Sequence, residues 1–142
     1  MNNIDLMKFW IESSNEDYDT MLYMKSGKKN TWCLFMGQMV IEKLLKALYA
    51  KKNVSEPYAP KSHDLMYLAQ KINLTVTETQ KLYLNEITRF NLNSRYDDYK
   101  REFSKKCTDE YTEEQINKIE EVKKWLENIL KEENPSKESA KK

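Results

Sequence analysis

Two groups of side chains in this chain have the types and spacing that could carry chemistry. Gln38, Glu42 and Lys46 recur at every fourth residue, so at helical pitch they stand one turn apart on one face. Glutamate four residues before lysine is the favourable order for a helical ion pair, worth only ~0.2–0.5 kcal/mol when exposed. Half buried between Phe35 and Tyr49, the same pair would need further partners and could hold a ligand or a loop arginine. The alternative is a solvated strip that keeps its helix soluble. The second group is Arg95-Tyr96-Asp97-Asp98-Tyr99. A guanidinium beside tyrosines suits phosphate forks and base stacking. The two aspartates equally suit an internal salt bridge to Arg95 or a polar turn.

The chain has one histidine. Any two-histidine metal site or histidine-assisted nucleophile within one protomer is thereby limited to His63. His63-Asp64 opens a short helix, where Asp64 suits the positive end of the dipole. A neutral His63 bridging that helix to the preceding loop is the structural alternative. Two glycines exclude a glycine-rich phosphate loop. Cys33 and Cys107 lack metal-ligand spacing and are read as free thiols, Cys33 on a buried arc and Cys107 in a polar loop. Glu78 and Glu86 share a helix face with nothing to suggest ligation, so neither metal nor cofactor is expected. The basic residues from Arg89 to Lys106, interleaved with aromatics, give a case for RNA contact.

These residues need elements to position them. With 142 residues, two glycines, three prolines and 33 % charged residues, the chain has little material for hairpins and enough for one core. Long segments between breakers predict an all-α, single-domain antiparallel bundle of about five helices over residues 1–133, with a disordered polar tail at 134–142. The axis is Trp32–Tyr49, whose apolar side chains cover more than half the circumference at ~100° per residue. Gly37 lies inside that arc and would let another backbone approach. A first helix from about Asn3 to Lys25 precedes it, with Leu6, Trp10, Ser14, Tyr18 and Met21 on one face and Gly27 as a left-handed stop. Asp17 lies at the edge of that stripe, either at the solvent rim or against a cation from another element.

Pro57 and Pro60 forbid helix after Tyr49, and Ser62 is a plausible N-cap for a short helix from His63 to about Ile72. Thr77 with Gln80 forms a capping box for a helix reaching Phe90. From Asn91 to Tyr111 periodicity fails, which predicts a loop. The last helix is expected to begin at Thr112, capped with Gln115, and to bury Ile116, Ile119, Val122 and Leu126.

Charge excludes some classes of function. A net charge of +1 gives no global pull toward nucleic acid. Its distribution is lopsided: Asp5, Glu12, Glu16, Asp17 and Asp19 oppose only Lys8 before residue 25, and lysines dominate the next helix. Two such helices would attract each other side by side. No apolar run approaches the ~20 residues that cross a bilayer. The opening MNNIDLMKFW lacks the pattern of a signal peptide, so a cytoplasmic protein is expected.

Four stretches in order resemble the HEPN domain (higher eukaryotes and prokaryotes nucleotide-binding). Trp10 with Asp17 and Met21 is similar to its opening helix. Gln38-Met39-Val40-Ile41-Glu42-Lys43-Leu44-Leu45-Lys46-Ala47-Leu48 is similar to its second-helix signature. His63-Asp64-Leu65 with Leu68 matches its His-Asp-Leu step. Ser94-Arg95-Tyr96-Asp97 matches a Ser-Arg-Tyr-Pro-Asp loop, here without the proline. The likeness spans about residues 4–130.

The resemblance implies a helical bundle, commonly a homodimer, encoded beside or fused to a minimal nucleotidyltransferase as a toxin–antitoxin pair. Ribonuclease members use an arginine followed after four to six residues by histidine. Here Lys100, Arg101 and Glu102 stand at that distance from Arg95, and Ser94, Arg95 and Tyr96 from Arg89, so that motif is absent. Some family toxins are silenced by nucleotide addition to a tyrosine near the motif, a role that Tyr96 or Tyr99 would take. The expectation is a non-hydrolytic protein binding a nucleotide, a nucleotidyltransferase partner, or both. In it Arg95 and Lys46 meet phosphate, Tyr96 stacks and Glu42 orients Lys46. The enzyme alternative is a metal-independent ribonuclease with a dimer-composite site from His63 and Arg95. A plain helical interaction module is the third reading.

Overall fold

The computed structural model describes residues 1–132, so the tail assigned to 134–142 lies outside the described residues. Six helices follow one another: α1 (Asn3–Ser26), α2 (Asn30–Lys52), α3 (Leu65–Lys71), α4 (Glu78–Arg95), α5 (Asp97–Lys106) and α6 (Asp109–Lys131). There is no strand among the described residues, and none of these helices is long and apolar enough to cross a membrane.

The α2 arc behaves as its pattern dictates. Cys33, Leu34, Val40, Ile41, Leu44, Leu45, Ala47 and Leu48 are all buried. Each large side chain removed from water this way contributes about 1.5–3 kcal/mol. α1 packs antiparallel along α2: Met21 reaches Gly37, the Ser14 hydroxyl donates to the Val40 carbonyl at 2.9 Å, and Trp10 lies by Lys46. α4 is also antiparallel to α2, with Ser94 opposite Thr31 and Asn91 opposite Gln38. α6 instead runs parallel to α2, since Ile119 meets Gly37 and Lys51 Nζ takes the Leu130 carbonyl at 2.8 Å. The long helices α1, α2, α4 and α6 thus alternate in direction, as expected of an antiparallel bundle, in which α2 and α6 run the same way.

Asp17 is met by a cation, not by the rim: Lys43 Nζ lies 2.6 Å away with both side chains about five-sixths buried (16 % and 15 % exposed). The opposite charges of α1 and α2 are thus used directly across their interface. At the α1–α2 turn the left-handed residue is Lys28 (φ 57°), while Gly27 has φ −87° and donates its N–H to the Tyr23 carbonyl. The helix ends at the glycine, but the left-handed turn expected of Gly27 falls one residue later, on Lys28.

Gly37 makes room for a side chain, not a backbone. A Cβ there would stand 2.4 Å from Ile119 Cδ1 and 3.3 Å from both Ile119 Cγ1 and Met21 Sδ. Gly37→Ala is therefore expected to cost about 1–3 kcal/mol in overpacking against ~1 kcal/mol gained in helix propensity. Ile119→Val removes the offending Cδ1. Urea unfolding of both single variants and the double should show the pair less destabilised than the sum.

The stretch from Asn91 to Tyr111 is helical, contrary to the loop expected there. α4 continues to Arg95, α5 follows after Tyr96, and α6 starts one turn earlier than Thr112. Thr108 is its cap, accepting from Tyr111 N at 3.1 Å, while Thr112 and Gln115 are buried inside the helix. α5 gave no periodic signal because Phe103, stacked on Phe90 at 5.7 Å, is its one buried residue. Cys107 ends α5 as a buried side chain, not a loop residue. The capping box at Thr77 and Gln80 forms as its sequence indicates, at 3.1 and 2.9 Å.

Two tyrosines lock α6 to its neighbours. The Tyr18 hydroxyl donates to Glu120 at 2.7 Å, and that bond, with burial, pushes its pKa up to about 12. Burial, with Glu86 nearby, pushes Tyr111 up to about 12. The unfolded chain loses these protons near 10.0, so their contribution is complete below that pH and falls as pH rises toward about 12. Phenolate absorbance should show two late-titrating tyrosines in the native protein, and Tyr18→Phe should remove one.

Candidate functional site

Glu42 is the centre of the polar network, and it is buried, at 2 % exposure. Its Oε1 accepts from Gln38 Nε2 at 3.1 Å and from His63 Nδ1 at 2.7 Å. Its Oε2 pairs with Lys46 Nζ at 3.1 Å. The solvated-strip alternative fails for this residue: a carboxylate removed from water needs donors for its lone pairs, and three converge on it. Gln38 is equally enclosed, donating to the His63 carbonyl at 3.0 Å and accepting from Asn91 Nδ2 at 2.9 Å.

The segment that meets the α2 strip is the one before α3. Asp64 is the cap of α3, accepting from Tyr67 N at 3.1 Å, and Ser62 serves that turn by accepting from Asp64 N. Ser62 is therefore not the cap, and His63 stands just ahead of the helix, turned toward Glu42. A carboxylate oxygen accepts, so Nδ1 carries the hydrogen toward Glu42, and Nε2 is the ring nitrogen without a hydrogen-bond partner among the described residues. With its side chain 53 % exposed, the imidazole is held from within and open from without.

Lys46 is more committed than a phosphate ligand would be. Its side chain is 13 % exposed, paired with Glu42, and its ammonium lies 5.1 Å from the Trp10 ring centroid. The Trp10 Nε1 donor is buried with no partner.

Arg95 lies elsewhere. It makes no ion pair with Glu42, Asp97 or Asp98 among the described residues. Its Nε donates to the Asn91 carbonyl at 3.4 Å and its Cζ lies 5.3 Å from the Tyr96 ring centroid. Arg95 is exposed and so is Tyr96. Because α4 is antiparallel to α2, one turn from Asn91 to Arg95 leads away from Glu42. Eight residues of rise put Arg95 and Glu42 roughly 12 Å apart along the axis. Asn91 is the residue that sequence reading missed. It continues the Ile87 stripe one turn on as a polar group, and it joins Gln38 to the Arg95 turn. Its Oδ1 is buried and without a partner.

Neither thiol is available for chemistry. Burial pushes Cys33 and Cys107 up to about 11, so both remain protonated near neutrality. No cluster of three or more metal-ligating side chains occurs among the described residues.

Residues 7–129 match the family model of the HEPN domain. The chain belongs to the HEPN family. No curated protein and no solved structure matches it. In this HEPN protein three of the four short stretches that carried the resemblance meet in space. Trp10, the Gln38–Lys46 strip and His63 share one cluster, and Ser94-Arg95 is joined to it through Asn91.

Proposed function

We propose that this HEPN protein binds the phosphate-bearing part of a nucleotide, free or presented by a minimal nucleotidyltransferase partner, as one half of a toxin–antitoxin-type pair. The observation that carries it is the Arg95–Tyr96 pair: an exposed guanidinium lying over an exposed phenol ring, held by one carbonyl and with no carboxylate partner among the described residues. Such a pair offers a planar phosphate fork and a stacking surface side by side. Glu42 and Lys46 lie about 12 Å from that pair along the bundle and hold His63, whose Nε2 is turned outward. A second copy of the chain, as a homodimer, would double this surface.

Calorimetry with ATP and with a co-expressed nucleotidyltransferase tests the proposal. Arg95→Ala should weaken either interaction about tenfold or more, since it removes a charge-assisted hydrogen bond. Heat with neither ligand, or an unchanged Arg95→Ala, ends the proposal.

The Glu42–His63 contact favours a second reading. A carboxylate that fixes an imidazole through Nδ1 prepares Nε2 to take a proton. With Arg95 from a second copy nearby, it could serve a metal-independent ribonuclease. That reading expects cleavage of total RNA, lost in His63→Ala; intact RNA disposes of it.

A further inference from the structure

A well-formed cavity lies on the opposite side of α4 from Glu42 and His63. It is a groove of about 670 Å³ between α4, α5 and the start of α6. That size falls within the ~300–1,000 Å³ typical of small-ligand sites. Along α4 its wall is the row Asn85, Arg89, Asn93, one side chain per turn over roughly 12 Å. None of the three makes a side-chain hydrogen bond among the described residues. Beneath them the stacked Phe90 and Phe103 form an apolar floor.

The groove holds three cations, and two are occupied. Lys118 pairs with Glu86 at 3.1 Å and lies 5.5 Å from the Tyr83 ring, and Lys106 lies 5.2 Å from the Tyr111 ring. Arg89 alone has no carboxylate or ring partner among the described residues. Asp98 and Glu102 line the α5 wall together with Tyr99, which is 51 % exposed. With Glu86 they bring the lining carboxylates to three, equal to its cations. A groove whose lining charges cancel offers no net attraction to a polyphosphate and accepts one negative charge placed at Arg89.

We propose that this groove binds a monocarboxylate attached to a planar aromatic ring, as in the C-terminal aromatic residue of a peptide or a free aromatic acid. The carboxylate sits in the Arg89 fork, the Asn85 and Asn93 amides take the neighbouring peptide group, and the ring lies against Tyr99 and the phenylalanine floor. This goes beyond the nucleotide reading and uses none of its residues.

N-acetyl-tryptophan is the probe, with N-acetyl-tryptophan amide, AMP and a hexapeptide ending in tryptophan as comparators, followed by NMR titration of the full chain. The expected result is saturable binding of the acid, weakened about tenfold by amidation and by Arg89→Ala, and weakened less by Arg89→Lys, which keeps the charge but not the fork. Arg95→Ala should leave it unchanged, which separates this site from the nucleotide site. A tighter hexapeptide assigns the site to a protein C-terminus, and equal affinity to a free acid. No saturation by about 10 mM probe, equal binding of the amide, or tighter binding of AMP at the same residues overturns the proposal.

Discussion

Glu42→Ala should lower the unfolding free energy by about 3–5 kcal/mol, the usual loss when one member of a buried ion pair is removed. Three donors lose their acceptor at once, namely Gln38 Nε2, His63 Nδ1 and the Lys46 ammonium. The lysine matters most, because its side chain is 13 % exposed and cannot recover full hydration without movement. Glu42→Gln keeps the shape but turns an amide N–H₂ toward existing donors, so about 1–3 kcal/mol is expected. Replacing the pair together, Glu42→Leu with Lys46→Met, should recover most of the loss, since neither charge is then stranded. Urea unfolding curves of the three variants read this directly. A Glu42→Ala variant within about 1 kcal/mol of the parent would mean that water reaches the site and that the buried network is not what holds His63.

Phe90→Ala is expected to cost about 3–5 kcal/mol, the usual range for emptying a buried phenylalanine site. The structural consequence should be local as well as global. Phe90 is 1 % exposed and its ring is the surface on which Phe103 stacks at 5.7 Å. Since Phe103 is the one residue α5 buries within its own length, its anchor disappears with Phe90. Hydrogen exchange should then show α5 amides opening well before those of α2, whereas in the parent they should be protected together with α4. Equal protection of α5 in the variant would show that Cys107 and the Lys100–Trp32 contact at 4.7 Å suffice to hold it.

The two results bear on different parts of the molecule because its polar network and its aromatic floor lie on opposite sides of α4. Loss of nucleotide binding in Glu42→Ala with the fold intact at low temperature would connect the network to the site. Loss of N-acetyl-tryptophan binding in Phe90→Ala would do the same for the groove.

Sequence by itself determined the helices that bury a stripe. α1, α2, α3 and most of α6 follow from apolar spacing, the start of α4 from the Thr77 capping box, and the family from the motifs, because period and capping chemistry act within a few residues. Tertiary structure alone decided α5, the true start of α6, and which side chains share a site. A ten-residue helix with one buried side chain carries no periodic stripe, and the Thr108 cap is preferred over Thr112 because packing claims Thr112 for the interior. The same holds for charge. Nothing local distinguishes Glu42 on a wet surface from Glu42 under a proline-bounded loop, and nothing local tells whether the partner is Arg95 or His63. That choice is fixed by the antiparallel register of α4 on α2, which sets Asn91 against Gln38 and carries Arg95 one turn further on, in the direction away from Glu42.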